Sequence, residues 1–209
     1  MDNRWIYNEA LLSSAEMMQS KTLANILSYL FSPTIFAFYV LLILFLFPPL
    51  SSTNNNQIFI ILFAIILLCV FPIIAILYYF KKGRVDIWVS NQKQRTPFYL
   101  VAITGYILAS VFFYLQQETT LFVLSVAYVG VTTSVTLSNF ITKVSSHSAG
   151  VAGPIAALVY IYGLSAVPFF LLLPLVFWSR LKINAHTFTQ LTLGAIIGIS
   201  ITLFLYILL

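Results

Sequence analysis

Two histidines, His147 and His186, are the only imidazoles in this chain, and both stand beside cations. His186 lies in Ser179-Arg180-Leu181-Lys182-Ile183-Asn184-Ala185-His186-Thr187-Phe188-Thr189-Gln190, a polar stretch between two apolar runs. Ionisable residues set against membrane-length apolar sequence are costly to keep and by default mark a functional site. His186 and Gln190 are four apart, so on a helix they share a face. Arg180 lies six residues before His186, where a turn can bring it to the same ligand. His147 occupies a similar junction, Lys143-Val144-Ser145-Ser146-His147-Ser148. With Lys93 and Arg95 these stretches supply a candidate set of Lys93, Arg95, Ser145, Ser146, His147, Arg180, His186 and Gln190.

That set suits a phosphate. Arginine offers a bidentate fork to phosphate oxygens, a helix start after Ser146 would offer backbone N–H groups, and imidazoles can do covalent and proton-transfer work. After residue 22, Asp86 is the only acid on the same side as these residues, so the oxygen ligands of Mg²⁺ or Ca²⁺ are lacking. Two histidines without a third ligand make a poor zinc site. No metal and no cofactor is expected.

Apolar sequence must position these residues. The chain has 209 residues, 61% hydrophobic and only 7% charged, against roughly 25% charged in a soluble domain. The expected fold is therefore all-α, a polytopic transmembrane bundle of about six to seven spans, forming one domain over residues 23–209. Residues 1–22, with Trp5 and Tyr7, read as a short helix lying at the membrane interface. Apolar segments follow over about 23–48 (with Ser32-Pro33 as kink or start), 58–80, 98–115, 120–140, 149–162, 165–178 and 191–209. The two runs hinged at Gly163 are each shorter than a usual span.

If both short runs cross, residues 81–97, 143–148 and 179–190 all lie on one side. Every Lys and Arg from Lys81 onward falls in those three stretches, and the other side has only Glu118. Two explanations use the same cations. They can be topological charges of the positive-inside kind, or they can bind an anion. We read Lys81, Lys82 and Arg84 the first way and Arg95 and Arg180 the second. The side that the site faces stays open.

The three stretches also resemble a family. The type 2 phosphatidic acid phosphatases, which share a core with the vanadium haloperoxidases, carry the motifs K-x6-R-P, P-S-G-H and S-R-x5-H-x3-D. Ser179-Arg180, five residues, His186, three residues and Gln190 match the third, with Gln190 in place of its Asp. Ser145 and His147 match the second, with Val144 for its proline and Ser146 for its glycine. Arg95-Thr96-Pro97 is the loosest match: one residue is inserted, Trp88 stands where the lysine belongs, and Lys93 is at hand to replace that charge. The resemblance covers about residues 80–200. It is closest to a compact bacterial branch with His-Thr-x-x-Gln in the third motif, which implies an integral protein of the bacterial inner membrane.

The resemblance implies a lipid phosphate or diphosphate phosphatase. His186 would be the nucleophile, and His147 the acid that protonates the leaving alkoxide and then the base that activates water. Gln190 would orient His186, while Lys93, Arg95 and Arg180, with Ser145 or Ser146, would hold the phosphate oxygens. The partners expected are a lipid phosphate and membrane lipids, not nucleic acid. The alternative is a non-catalytic lipid-phosphate binder or carrier that keeps the site, with Gln190 in place of the family Asp as its main support.

Overall fold

The computed structural model describes residues 4–49 and 56–209, with side chains from Met17 onward at the N-terminal end. All regular structure among the described residues is helical: α1 (Arg4–Leu30), α2 (Pro33–Leu46), α3 (Gln57–Ala64), α4 (Phe71–Lys81), α5 (Thr96–Leu115), α6 (Thr119–Ser138), α7 (Ser146–Tyr162), α8 (Leu172–Lys182) and α9 (Phe188–Leu208). Large apolar side chains such as Leu100, Leu108, Val111 and Phe204 are left exposed on the bundle. Outward-facing hydrocarbon on helices that also bury an apolar core fits a membrane and not water. The chain is an integral membrane helix bundle.

Prolines set the main breaks. Pro33 lacks an N–H and disfavours helical geometry in the residue before it. Ser32 is accordingly extended, and α1 meets α2 at a 54° bend. The interfacial helix expected over residues 1–22 does not stop there; α1 continues unbroken to Leu30. A π-helical turn, Ile65–Val70, joins α3 to α4 just ahead of Pro72. A missing N–H at Pro72 leaves a carbonyl one turn back to find another donor, which a wider turn allows.

Five helical stretches are long and apolar enough to cross a membrane, or six with the bent α1–α2 pair. One of them, Ser146–Lys182, folds back on itself. His147 opens it and Arg180 nearly ends it, and a straight helix would set these two roughly 50 Å apart. Instead both lie against Trp88, with the His147 ring 5.3 Å and the Arg180 guanidinium 5.1 Å from its ring. The reversal falls at Gly163, whose φ of 66° suits a residue without Cβ. A 3-10 stretch, Gly163–Leu171, and α8 form the return leg. Counting both legs brings the crossings within the expected six to seven.

The bundle thus has two distinct ends. At one end the Tyr162 hydroxyl donates to the Phe47 carbonyl, and Pro48, Gln57 and Glu118 lie together. At the other end lie the loop from Lys82 to Arg95, the turn from Asn139 to Ser145, and the turn from Ile183 to Thr187. Their hydrogen bonds tie them to one another, as described below. The three cation-bearing stretches therefore share one end.

Close packing of α9 on α7 sets the distance between the two histidines. A Cβ on Gly194 would stand 2.4 Å from the Ser145 carbonyl oxygen, and one on Gly198 2.6 Å from that of Ala149. The glycines let the backbones touch. Ser148 Oγ then donates to the Leu191 carbonyl at 2.6 Å, and Ser145 N–H donates to the Gln190 carbonyl at 3.2 Å.

Candidate functional site

His186 is held by the turn between α8 and α9. α8 ends as Asn184 takes a left-handed φ of 55° and Ala185 N–H donates back to the Arg180 carbonyl at 3.0 Å. Thr187 caps α9, its Oγ1 accepting from Gln190 N–H at 3.4 Å, while Thr187 N–H donates to Gln190 Oε1 at 3.2 Å. This is the reciprocal capping box of a Thr-x-x-Gln helix start. The same Gln190 Oε1 lies 3.0 Å from His186 Nδ1. A backbone N–H can only donate, so the atom facing it is the amide oxygen. That oxygen in turn places the ring proton on Nδ1 and leaves Nε2 of His186 with a free lone pair.

His147 is the second residue of α7, buried with 7% exposure, and its Nε2 has no hydrogen-bond partner. Ser145 caps the same helix, its Oγ accepting from Ser148 N–H at 3.3 Å. This leaves the amides of Ser146 and His147 to face the helix entrance. Ser145 is fully buried and serves the helix; Ser146 is half-buried and borders the cavity beside His147.

Arg180 carries the clearest signal. It is 2% exposed, yet its Nε and one terminal nitrogen have no hydrogen-bond partner. Among the described residues, the face of Trp88 answers its charge directly. Buried charges are normally paired, and an unpaired one costs several kcal/mol. Three unsatisfied buried nitrogens, two on Arg180 and one on His147, therefore belong to the same end of the bundle.

Arg95 is also buried, but its donors are partly used. Nε donates to the Val89 carbonyl at 2.9 Å and one terminal nitrogen to the Val144 carbonyl at 3.2 Å. It locks the loop before α5 to the turn before α7. Gln92 and Asn139 reinforce that link by exchanging side-chain-to-carbonyl bonds at 2.6 and 3.1 Å. Val89 pays for the arrangement with a φ of 45°, uncommon for a β-branched residue.

The structure separates the two lysines. Lys93 is exposed on its loop, where its backbone N–H caps on Asn91, and it does not join the buried group. Lys143 is half-buried and donates to the Ala185 carbonyl at 2.9 Å, one residue from His186. Burial, then the neighbouring Arg95 and Arg180, pull its ammonium pKa below the usual lysine value. Sequence reasoning left Lys143 out of the set, and it noted Trp88 only as a departure from a motif. The one signal for Lys143 was its place four residues before His147.

Charge balance at this end is lopsided. Among the described residues, Arg95, Arg180 and Lys143 face one acid, Asp86, which acts on Arg180 and Lys143 at a distance. Its oxygens accept from Trp88 N–H, Ser90 N–H and Ser90 Oγ at 2.9 to 3.0 Å. Burial alone would raise the Asp86 carboxyl, but the Ser90 and Trp88 bonds outweigh it and hold its pKa below the usual value. Burial also pushes His186 down, helped by Arg95, Arg180 and Lys143 and opposed by the Gln190 bond, to a pKa of about 3. His186 is thus neutral across the physiological range. Among the described residues no three of His, Cys, Asp and Glu come together as metal ligands. The arrangement can accept an anion of about two negative charges and present it to the bare Nε2 of His186.

Beside the site runs an elongated cavity of about 370 Å³, bordered by Trp88, Arg95, Ser146 and His147 at this end.

Compared with known proteins, the chain matches no family model, no curated protein and no solved structure.

Proposed function

We propose that this protein is a membrane-embedded phosphatase that removes a phosphoryl group from a lipid phosphate or diphosphate, without a metal. The observation that carries the reading is the buried Arg180 guanidinium, two of its nitrogens unsatisfied, near a His147 whose Nε2 is also unsatisfied and a neutral, oriented His186. A phosphate would satisfy all three at once, and its charge would match the net excess of cations.

His186 Nε2 attacks phosphorus as the bond from phosphorus to the lipid oxygen breaks. His147, which takes up a proton at Nε2 once the negatively charged phosphate is bound beside it, gives that proton to the leaving oxygen and becomes neutral. Neutral His147 then takes a proton from water as the water oxygen attacks the phosphohistidine, releasing inorganic phosphate and restoring both rings. Arg180 and the amides of Ser146 and His147 hold the non-bridging oxygens, and Arg95 and Lys143 add charge. Most of the rate in such a reaction comes from placement and charge stabilisation. The resemblance to the type 2 phosphatidic acid phosphatases points the same way, and with it a place in a bacterial inner membrane.

A second reading has its own support. Gln190 orients His186 but brings no negative charge to stabilise its cationic form, and Arg95 spends two donors on backbone carbonyls. A lipid-phosphate binder or carrier would need no more than this. Phosphate release from lipid phosphates, in the presence of EDTA, separates the two: the phosphatase turns over and the binder does not.

A further inference from the structure

The cavity beside the site sets what the phosphate can be attached to. From Trp88, Arg95 and His147 it runs inward to Tyr106, Leu124 and Thr202, and its walls are almost wholly apolar. Arg95 to Tyr106 spans eleven residues of helix, so the cavity is roughly 16 Å deep at 1.5 Å per residue. A 150 Å³ apolar cavity accommodates the six carbons of benzene, so about 370 Å³ takes on the order of 15 carbons. Depth and volume agree on one extended hydrocarbon chain. Two fatty chains would need about twice the space.

The cavity also has a way in from the bilayer. α2 packs on the π-helical turn 65–70 but draws away from α4 beyond it. Pro33 and Ile35 on α2 and Pro72 and Leu77 on α4 border the cavity from either side of that cleft. Ile35 and Leu77 are exposed on the outside of the bundle, so the cleft faces lipid.

Resting on the phosphatase reading, we propose that the substrate is a lipid phosphate or diphosphate with a single hydrocarbon chain, which enters between α2 and α4 and lies in this cavity. Alkyl and isoprenoid chains share that chemistry, and the test separates them.

The experiment uses the full purified chain in detergent with EDTA. Phosphate release is followed from tetradecyl phosphate, farnesyl phosphate, dimyristoyl phosphatidate and butyl phosphate. The expected result is a kcat/KM at least tenfold higher for one or both single long chains than for the diacyl lipid. Ala102→Phe, or Ala127→Leu on the facing helix, fills the cavity and should cut the long-chain to butyl ratio at least tenfold. Equal or better turnover of the diacyl lipid, or an unchanged ratio in both variants, overturns the proposal while leaving the phosphatase reading standing. A second readout does not need turnover: a brominated tetradecyl phosphate should quench the tryptophan fluorescence of His186→Ala protein, and Trp88→Phe or Ala102→Phe should remove that quenching. If no substrate releases phosphate but this quenching holds, the phosphatase reading fails and the chain site stands. Quenching that a brominated diacyl phosphatidate reproduces equally contradicts the single-chain site.

Discussion

One oxygen, Gln190 Oε1, lies 3.0 Å from His186 Nδ1 and 3.2 Å from the Thr187 backbone nitrogen. The helix cap and the orientation of His186 are therefore the same interaction. A glutamate at this position can also make a capping box, and it would add the negative charge that glutamine lacks. Opposite charge favours the protonated ring, so Gln190→Glu should raise the His186 pKa and increase turnover about tenfold or more, a fraction of the ~10⁴ that a carboxylate is worth in a Ser-His-Asp triad. Gln190→Met should instead lose about 1 kcal/mol of cap stability and at least 10²-fold in rate, since an unheld ring no longer presents Nε2. Steady-state kinetics and thermal melts of the two variants check both expectations.

Arg180 makes the opposite kind of prediction, activity without stability. A buried cation with no carboxylate partner is a burden on the fold, and replacing such a group with an apolar one of similar size is often neutral or stabilising. Arg180→Met should leave the melting temperature unchanged or higher and abolish phosphate-dependent thermal stabilisation. A clear loss of stability in the variant would mean that Arg180 is structural after all.

The two lysines near the site should part company. Lys143→Ala removes a cation that bonds the turn beside His186 and should lower kcat/KM by about 10- to 100-fold, as expected for one charge lost beside a transferring phosphoryl group. Lys93→Ala, on an exposed loop, should change it less than twofold, within the ~0.5 kcal/mol scatter of surface substitutions. A side-by-side kinetic assay decides.

Acid should destabilise the protein through His186. Its folded pKa of about 3 lies below the ordinary value of 6.5. Above pH 6.5 the ring is neutral in both states and contributes no pH dependence. Between 6.5 and 3 only the unfolded chain takes up the proton, so stability falls as pH falls through that window. Denaturant unfolding of His186→Phe should show a shallower decline there than the wild type.

Much of this was legible from residues alone. Apolar segment lengths fix the crossings, and Arg180, His186 and Gln190 carry their relationship in their spacing because one short turn contains it. The 82–95 loop was not legible. Its path depends on Asp86 bonding its own neighbours, on the Gln92–Asn139 exchange and on a left-handed Val89, none of which leaves a periodic signal. So Trp88 read as a lost lysine, whereas it is the surface on which Arg180 and His147 meet. Lys93 looked nearer than Lys143 because sequence distance to Arg95 is no guide to which way an exposed loop turns.

The most direct test of the central claim is phosphate release by wild type and His186→Ala from lipid phosphates in EDTA, with acid-labile phosphohistidine sought in a rapid quench of the wild type. Turnover by the wild type only, with label on His186, is the predicted result. Equal release by both proteins, or binding of lipid phosphate by both without release by either, contradicts it.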